Sequence, residues 1–264
     1  MSITIYYLSA TGNSLHAAKK LAEKLSLSET NVSLYSIPDI IKETAITPKG
    51  SIGLVMPLHF FALPILVEEF LAKLDLSKTD YIFAVITCGF HYISNAFHEL
   101  KQIIENRHGK LHAAFYVDMV SIYLPLNDLP PRSKILKKLS SADDKLDSIA
   151  EKISSHQTAS AHEYFNLISK IIHSRYNSHP EKLDEQFTLS GNCSDCGLCA
   201  KICPRANIVI EAGSPRWLHS CTQCLACLHI CPEKSIELGT RTKGRKRYHH
   251  PDIGLKDLFS KRFV

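Results

Sequence analysis

The run Ile3-Thr4-Ile5-Tyr6-Tyr7-Leu8, followed at once by Ser9-Ala10-Thr11-Gly12-Asn13-Ser14, sets the architecture of the N-terminal half. The first six residues are mostly β-branched and aromatic, as a buried strand requires. The next six are small or hydroxyl-bearing. They open a segment in which Ser14, Leu15, Ala17, Ala18, Leu21, Ala22 and Leu25 recur at helical spacing. A strand-to-helix turn of this composition is an anion site. Backbone N–H groups and the positive helix end face the anion, Ser9, Thr11 and Ser14 add donors, and Gly12 permits close backbone approach. A loop that binds through hydroxyls and amides, without Lys or Arg, suits a terminal monoester phosphate. There is no Walker lysine here and no G-x-G-x-x-G anywhere, so neither a nucleoside triphosphate loop nor a dinucleotide fingerprint is indicated.

Outward from this turn, strand and helix patterns alternate. Asn31–Ile37, Ser51–Met56, Tyr81–Thr87 and Leu111–Val117 read as strands. Leu63–Leu74 and Asn95–Arg107 read as amphipathic helices, and helical periodicity returns over residues 134–154. Alternating β and α units imply a parallel sheet covered on both faces, with ligands at the carboxyl ends of its strands. Two loops follow strands at that end. One is Pro57-Leu58-His59-Phe60-Phe61-Ala62-Leu63-Pro64; the other is Thr87-Cys88-Gly89-Phe90-His91-Tyr92, with Asn95 beyond. Their aromatics either stack on a bound ring or belong to the core. His59 and His91 are candidate proton donors or exposed loop histidines. Cys88 stands apart from the other cysteines and reads as a buried thiol lining the same site.

The C-terminal half carries a duplicated ligand set. Cys193-x2-Cys196-x2-Cys199-x3-Cys203-Pro204 recurs 28 residues later as Cys221-x2-Cys224-x2-Cys227-x3-Cys231-Pro232. Three cysteines at x2 intervals wrap one face of a cubane, and the fourth, before proline, reaches the other cluster. Two [4Fe–4S] clusters are therefore expected, one on Cys193, Cys196, Cys199 and Cys231, the other on Cys221, Cys224, Cys227 and Cys203. Structural zinc is the alternative, but zinc knuckles pair two CxxC units rather than this doubled run. Gly197 suits the tight ligand loop.

Both halves resemble known proteins. Residues 187–239 resemble bacterial dicluster ferredoxins, and the Ser9–Ser14 turn resembles the FMN loop of flavodoxins. Over residues 1–239 the chain is similar to the flavodoxin–ferredoxin fusion family of anaerobic bacteria and archaea. The resemblance implies a flavodoxin-like doubly wound parallel sheet plus a small α+β dicluster ferredoxin-like domain. It implies FMN held by Ser9, Thr11, Gly12, Asn13 and Ser14, with ring contacts from Pro57, His59, Phe60, Phe61, Thr87, Cys88, Gly89, Phe90 and Asn95. The sequence departs from the family at Phe90, at Ser94-Asn95 and at Met119-Val120, which alters the ring contacts.

The expected organisation is an FMN domain over 1–154, a helical linker over 155–186 with a helix at 162–175, the ferredoxin-like domain over 187–239, and a loosely ordered basic tail over 240–264. That tail holds Arg241, Lys243, Arg245, Lys246 and Arg247 and reads either as solvated or as a docking segment for an acidic carrier. The net charge of +5 does not argue for nucleic acid: eight ligand thiolates, two cluster cores and a phosphate bring it to about −1. The Ile52–Val67 apolar run is broken by Pro57, His59 and Pro64, no signal peptide precedes the first strand, and no membrane partner is expected. The expected location is cytoplasmic. The expected function is electron transfer between the clusters and FMN, with ferredoxin, flavodoxin or an oxidoreductase as partner. The alternatives are an FMN-dependent reductase of a small organic substrate, with residues 120–131 building its pocket, and a redox sensor.

Overall fold

A computed structural model of the chain describes residues 2–27, 30–161, 169, 171–174, 182–191, 193–259 and 262–263. The helix expected at 162–175 lies largely outside these described residues.

The N-terminal half builds strands β1 (Ser2–Tyr7), β2 (Asn31–Ser36), β3 (Gly50–Pro57), β4 (Thr79–Cys88) and β5 (Leu111–Asp118). Helices α1 (Asn13–Ser26), α2 (Ile37–Ile40), α3 (Ile65–Leu71), α4 (Ala96–Glu105) and α5 (Arg132–Ser154) alternate with or follow them. β1 pairs in parallel with β2 and β3, β3 with β4, and β4 with β5, giving the order β2-β1-β3-β4-β5. This is the flavodoxin-like doubly wound order, with its switch point between β1 and β3. The strands are near-continuous apolar runs because both sheet faces are covered. One face packs Leu54, Ile82 and Ile86 against Phe70 and Leu71 of α3 and Phe97 and Leu100 of α4. The other packs Ile5, Phe83 and Val85 against Leu21 of α1 and Leu146 and Ile149 of α5. α3 starts two residues later than its apolar pattern suggests, because Pro64 caps it in an extended conformation (φ −63°, ψ 133°).

The C-terminal half is a small unit of two antiparallel ribbons and two short helices. β6 (Phe187–Leu189) pairs with β9 (Ile236–Leu238), and β7 (Ile208–Glu211) with β8 (Ser214–Trp217). Helices α6 (Leu198–Ile202) and α7 (Ala226–Ile230) stand 28 residues apart, as the duplication demands. The backbone repeats with the sequence. Asp195 and Gln223, Gly197 and Leu225, and Ala206 and Lys234 all have φ between 50° and 69° and are related by the same offset. Gly197 meets this requirement without penalty; Leu225 adopts it as a buried side chain.

Two expectations about the flanks need correction. The end of the expected linker packs into the cysteine-rich unit. The buried carboxylate of Asp184 accepts from Asn207 Nδ2 (2.9 Å), from the His219 N–H (3.0 Å) and from His219 Nδ1 (2.8 Å). The C-terminal stretch is not loosely ordered over its described part. Thr242, Tyr248, His250 and Ile253 are buried, and Arg262–Phe263 forms β10, antiparallel to β2, as a sixth strand. Its cations have partners a local reading cannot supply: Arg245 donates to the Leu124 carbonyl and lies 3.7 Å from Asp128, and Arg247 is paired with Glu237 at 2.8 Å. Among the described residues, no helix is long and apolar enough to cross a membrane.

Candidate functional site

A cavity of about 690 Å³ lies at the carboxyl ends of the parallel strands, within the usual range for small-molecule and cofactor sites. Its floor is the β1–α1 turn: Ser9, Ala10, Thr11, Asn13 and Ser14 line it. The first turn of α1 carries no acidic side chain, so its positive end is left available to an anion. Ser14 Oγ and Thr87 Oγ1 are hydrogen-bonded at 2.7 Å, joining the β1–α1 and β4–α4 loops. Pro57, His59, Phe60 and Phe61 contribute a second wall, and Thr87, Cys88, Gly89 and Phe90 a third. Phe60 and Phe61 both have positive φ (47° and 65°) in a turn closed by His59 and Ala62. That turn presents both rings to the cavity rather than to the core. Phe60 meets Tyr123 edge-on at 5.2 Å, and Phe61 meets Phe90 at 6.3 Å.

Two of the expected cofactor residues do other work. Gly12 does not line the cavity. At φ +99° it lies under the C-terminal stretch, where a Cβ would stand 3.0 Å from that of His250 and 3.1 Å from that of Ile253. Its freedom therefore admits the returning chain, whose His250 N–H donates to the Thr11 carbonyl at 2.8 Å. Asn95 is buried and also off the cavity; its N–H donates to the Phe61 carbonyl at 3.2 Å and so supports the aromatic turn. Asn13 lines the cavity, but its amide is engaged elsewhere: Nδ2 donates to the Val120 carbonyl (3.0 Å), and Oδ1 accepts from Tyr248 (2.7 Å).

His59 is half-buried, and its fully buried Nε2 has no hydrogen-bond partner among the described residues. Burial, reinforced by neighbouring His173, holds it down to about 4, so the ring is neutral at pH 7. Glu68 is pushed up to about 7 by burial and then by the nearby Glu99 and Glu69.

Val120 to Tyr123, Pro125 and Leu126, from the segment expected to build a substrate pocket, close one side. Gln223, Cys224, Leu225 and Arg241 close the end nearest the cysteine-rich unit, a wall that could not be located from local sequence. Leu225 is the duplicate of Gly197 in the 28-residue repeat, which was the one available signal.

The eight repeat cysteines fall into two groups. Cys193, Cys196, Cys199 and Cys231 surround one small cavity; Cys203, Cys221, Cys224 and Cys227 surround another. All eight are free thiols. Backbone N–H groups point at sulfur at repeat-related positions: Asn207 N to Cys203 Sγ and Ser235 N to Cys231 Sγ, each 3.3 Å. Burial raises the Cys203, Cys221, Cys224 and Cys227 thiols, and neighbouring thiolates raise the last three further. Held neutral by burial, these four thiols could ionise together only around a positive core. Cys224 and Leu225 line both this cavity and the large one.

No family model matches the chain, and no curated protein matches it. Solved structures with a likeness to its N-terminal half include a Streptococcus pneumoniae TIGR4 flavodoxin, at 16% identity and TM-score 0.36, covering 56% of this chain and 99% of that one. Oxidised flavodoxin 1 from Bacillus cereus aligns at 14% identity and TM-score 0.39, covering 60% and 100%. An NAD(P)H:quinone oxidoreductase from Methanothermobacter marburgensis aligns at 10% and 0.40, covering 56% and 98%. At these scores the fold assignment rests on the strand order and not on the likenesses.

Proposed function

We propose that the chain is an electron-transfer iron–sulfur flavoprotein. FMN occupies the large cavity, and a [4Fe–4S] cluster fills each cysteine cage. The observation that carries this is the shared wall: Cys224, a ligand of the second cage, also borders the cavity built on the Ser9–Ser14 turn.

The residues fit both groups. Ser9, Thr11 and Ser14, with the N-terminal end of α1, hold the phosphate; Phe60, Phe61 and Phe90 flank the ring. Four sulfur donors per cage, with N–H groups aimed at sulfur, suit a cubane. When bound, the clusters exchange single electrons and the flavin one or two. The chain's own contribution is positional: Gln223-Cys224-Leu225 sets the cluster against the ring site, and the fully buried His229 fixes that loop by donating to the Ile122 carbonyl at 2.8 Å. Redox proteins are the proposed partners.

The apolar wall of Phe60, Phe90, Tyr123 and Leu126 favours a second reading. In it, the same site reduces a small organic acceptor, and residues 120–127 shape the acceptor's pocket.

Anaerobic purification with iron, sulfide, zinc and flavin analysis tests the proposal. About eight iron and eight sulfide per chain, with about one FMN, are expected. Zinc in the cages with no flavin would refute it. Stopped-flow oxidation of the reduced protein separates the two readings: turnover with small quinones or other organic acceptors supports the reductase, and turnover with redox proteins alone supports the carrier.

A further inference from the structure

Beside the large cavity, at the carboxyl ends of β4 and β5, three donor side chains converge that neither the flavin site nor the cages use fully. Cys88 Sγ lies 3.7 Å from His91 Nδ1 and 3.5 Å from Asp118 Oδ1, and His91 Nδ1 lies 3.2 Å from Asp118 Oδ1. From this geometry we infer a mononuclear transition-metal site, best suited to Zn²⁺, formed by Cys88, His91 and Asp118.

The three spacings carry the inference. A tetrahedral zinc binds thiolate sulfur at about 2.3 Å and nitrogen or oxygen at about 2.0–2.1 Å, which places such donors roughly 3.3–3.6 Å apart. The observed triangle matches these edges to within about 0.2 Å, so a cation fits at its centre with little movement of the ligands. Hydrogen bonding alone does not require this shape. The thiol and the imidazole N–H can each donate to Asp118, but that leaves no proton to draw sulfur and nitrogen together.

The charges balance as well. Thiolate and carboxylate together neutralise a divalent cation, and the imidazole coordinates as a neutral ring through Nδ1. The sulfur and nitrogen donors select a borderline-soft cation over Mg²⁺ or Ca²⁺.

The surroundings hold the ligands and leave a way in. His91 is stacked on Tyr116 (centroids 4.5 Å apart, 16° between planes) and on Tyr92 (4.8 Å, 26°), which fixes its orientation. Tyr116 in turn donates to Ser94 Oγ at 2.8 Å. Cys88 is buried and borders the large cavity, whereas the Asp118 side chain is half-exposed and opens the site to solvent. Three protein ligands leave one vertex for water or an exogenous donor, the arrangement of an open rather than a structural zinc site. The site uses none of the eight cage cysteines and does not depend on the flavin assignment.

The test uses the full chain, anaerobically purified with its cages and flavin loaded. Co²⁺ is titrated in as a spectroscopic substitute for Zn²⁺, and bound zinc is measured separately after dialysis. Difference spectra should show one equivalent of Co²⁺ per chain, with a thiolate-to-cobalt charge-transfer band and tetrahedral d–d bands. Cys88→Ala and His91→Ala should abolish these bands. Asp118→Asn, a mild change at a half-exposed position, should weaken binding at least about tenfold. Unchanged far-UV circular dichroism and an unchanged urea midpoint in each variant guard against misfolding. Absence of the bands in the parent chain, their persistence in Cys88→Ala, or unaltered affinity in Asp118→Asn would overturn the assignment. A negative result here leaves the iron, sulfide and flavin counts untouched, so failure of this site and failure of the proposed function are separable.

Discussion

Replacing Arg247 with methionine tests whether the C-terminal stretch is a structural part of the protein. Arg247 Nη2 lies 2.8 Å from Glu237 Oε1 and also donates to the Ile236 carbonyl at 3.0 Å; Nη1 donates to the Thr242 carbonyl at 3.3 Å. The two side chains are only 7% and 6% exposed, so water cannot replace the lost partner. Methionine leaves the Glu237 carboxylate buried with, among the described residues, only the Thr242 hydroxyl to solvate it. Breaking a buried pair from one side costs about 3–5 kcal/mol, most of it the penalty of the stranded charge. At a urea sensitivity of about 3 kcal/mol per M, the unfolding midpoint should fall by roughly 1–1.7 M. The assay is anaerobic urea unfolding of the loaded chain, followed by far-UV circular dichroism. Adding Glu237→Gln removes the stranded charge while keeping an acceptor for Thr242, so the double variant should recover at least half of the loss. A single-variant shift below about 0.3 M, the level of a surface ion pair, would refute the claim that this stretch is anchored in the fold.

Two further outcomes follow. Gly12→Ala introduces a Cβ 3.0–3.1 Å from those of His250 and Ile253 at a φ of +99°, which should cost about 1–3 kcal/mol. It should speed proteolytic removal of residues 240–264, and an unchanged cleavage rate would contradict the packing. Burial holds His229 down to about 4 in the fold, against 6.5 for the free ring. The unfolded chain therefore takes up this proton first as pH falls: the stabilisation is complete above pH 6.5 and is lost as pH drops toward 4. Glutamine offers the same donor and acceptor without titrating, so His229→Gln should flatten the fall of the urea midpoint between pH 6.5 and 4.5; an unaltered slope would argue against it.

The sheet was legible because its signals are periodic and local. The apolar runs at 51–56 and 81–87 and the helical spacing of Leu15, Ala18, Leu21 and Leu25 can each be read within a dozen residues. The β1–α1 turn and the two aromatic loops were legible for the same reason, since each directly follows a strand. What failed was anything decided by distant chain. Gly12 was recognisable as a residue needing freedom, but what crowds it lies at positions 250 and 253. Five cations in seven residues looked solvated because Leu124 and Glu237, the partners of Arg245 and Arg247, share no local pattern with them. Asn95 follows the β4–α4 loop as a ring contact would, yet its backbone serves the neighbouring turn. In the cysteine half, the repeat offset carried more than ligand identity. It also relates the left-handed residue Leu225 to Gly197, which a propensity argument alone would have rejected.

Those distant contacts form a closed circuit. His229 Nε2 donates to the Ile122 carbonyl, and its Nδ1 accepts from the Tyr248 N–H at 3.1 Å. Tyr248 donates through its hydroxyl to Asn13 Oδ1, and Asn13 Nδ2 returns to the Val120 carbonyl, two residues from Ile122. The circuit joins the helix after Cys224, the proline-rich wall, the C-terminal stretch and the β1–α1 turn. Both ring nitrogens of His229 are used, so the circuit holds only while that ring is neutral, and burial keeps it so. A flexible tether between the two halves would leave the spacing between cage and cavity to diffusion. Here two hydrogen bonds that cross the halves, His229 to Ile122 and Tyr248 to Asn13, fix it, and the C-terminal stretch closes the ring.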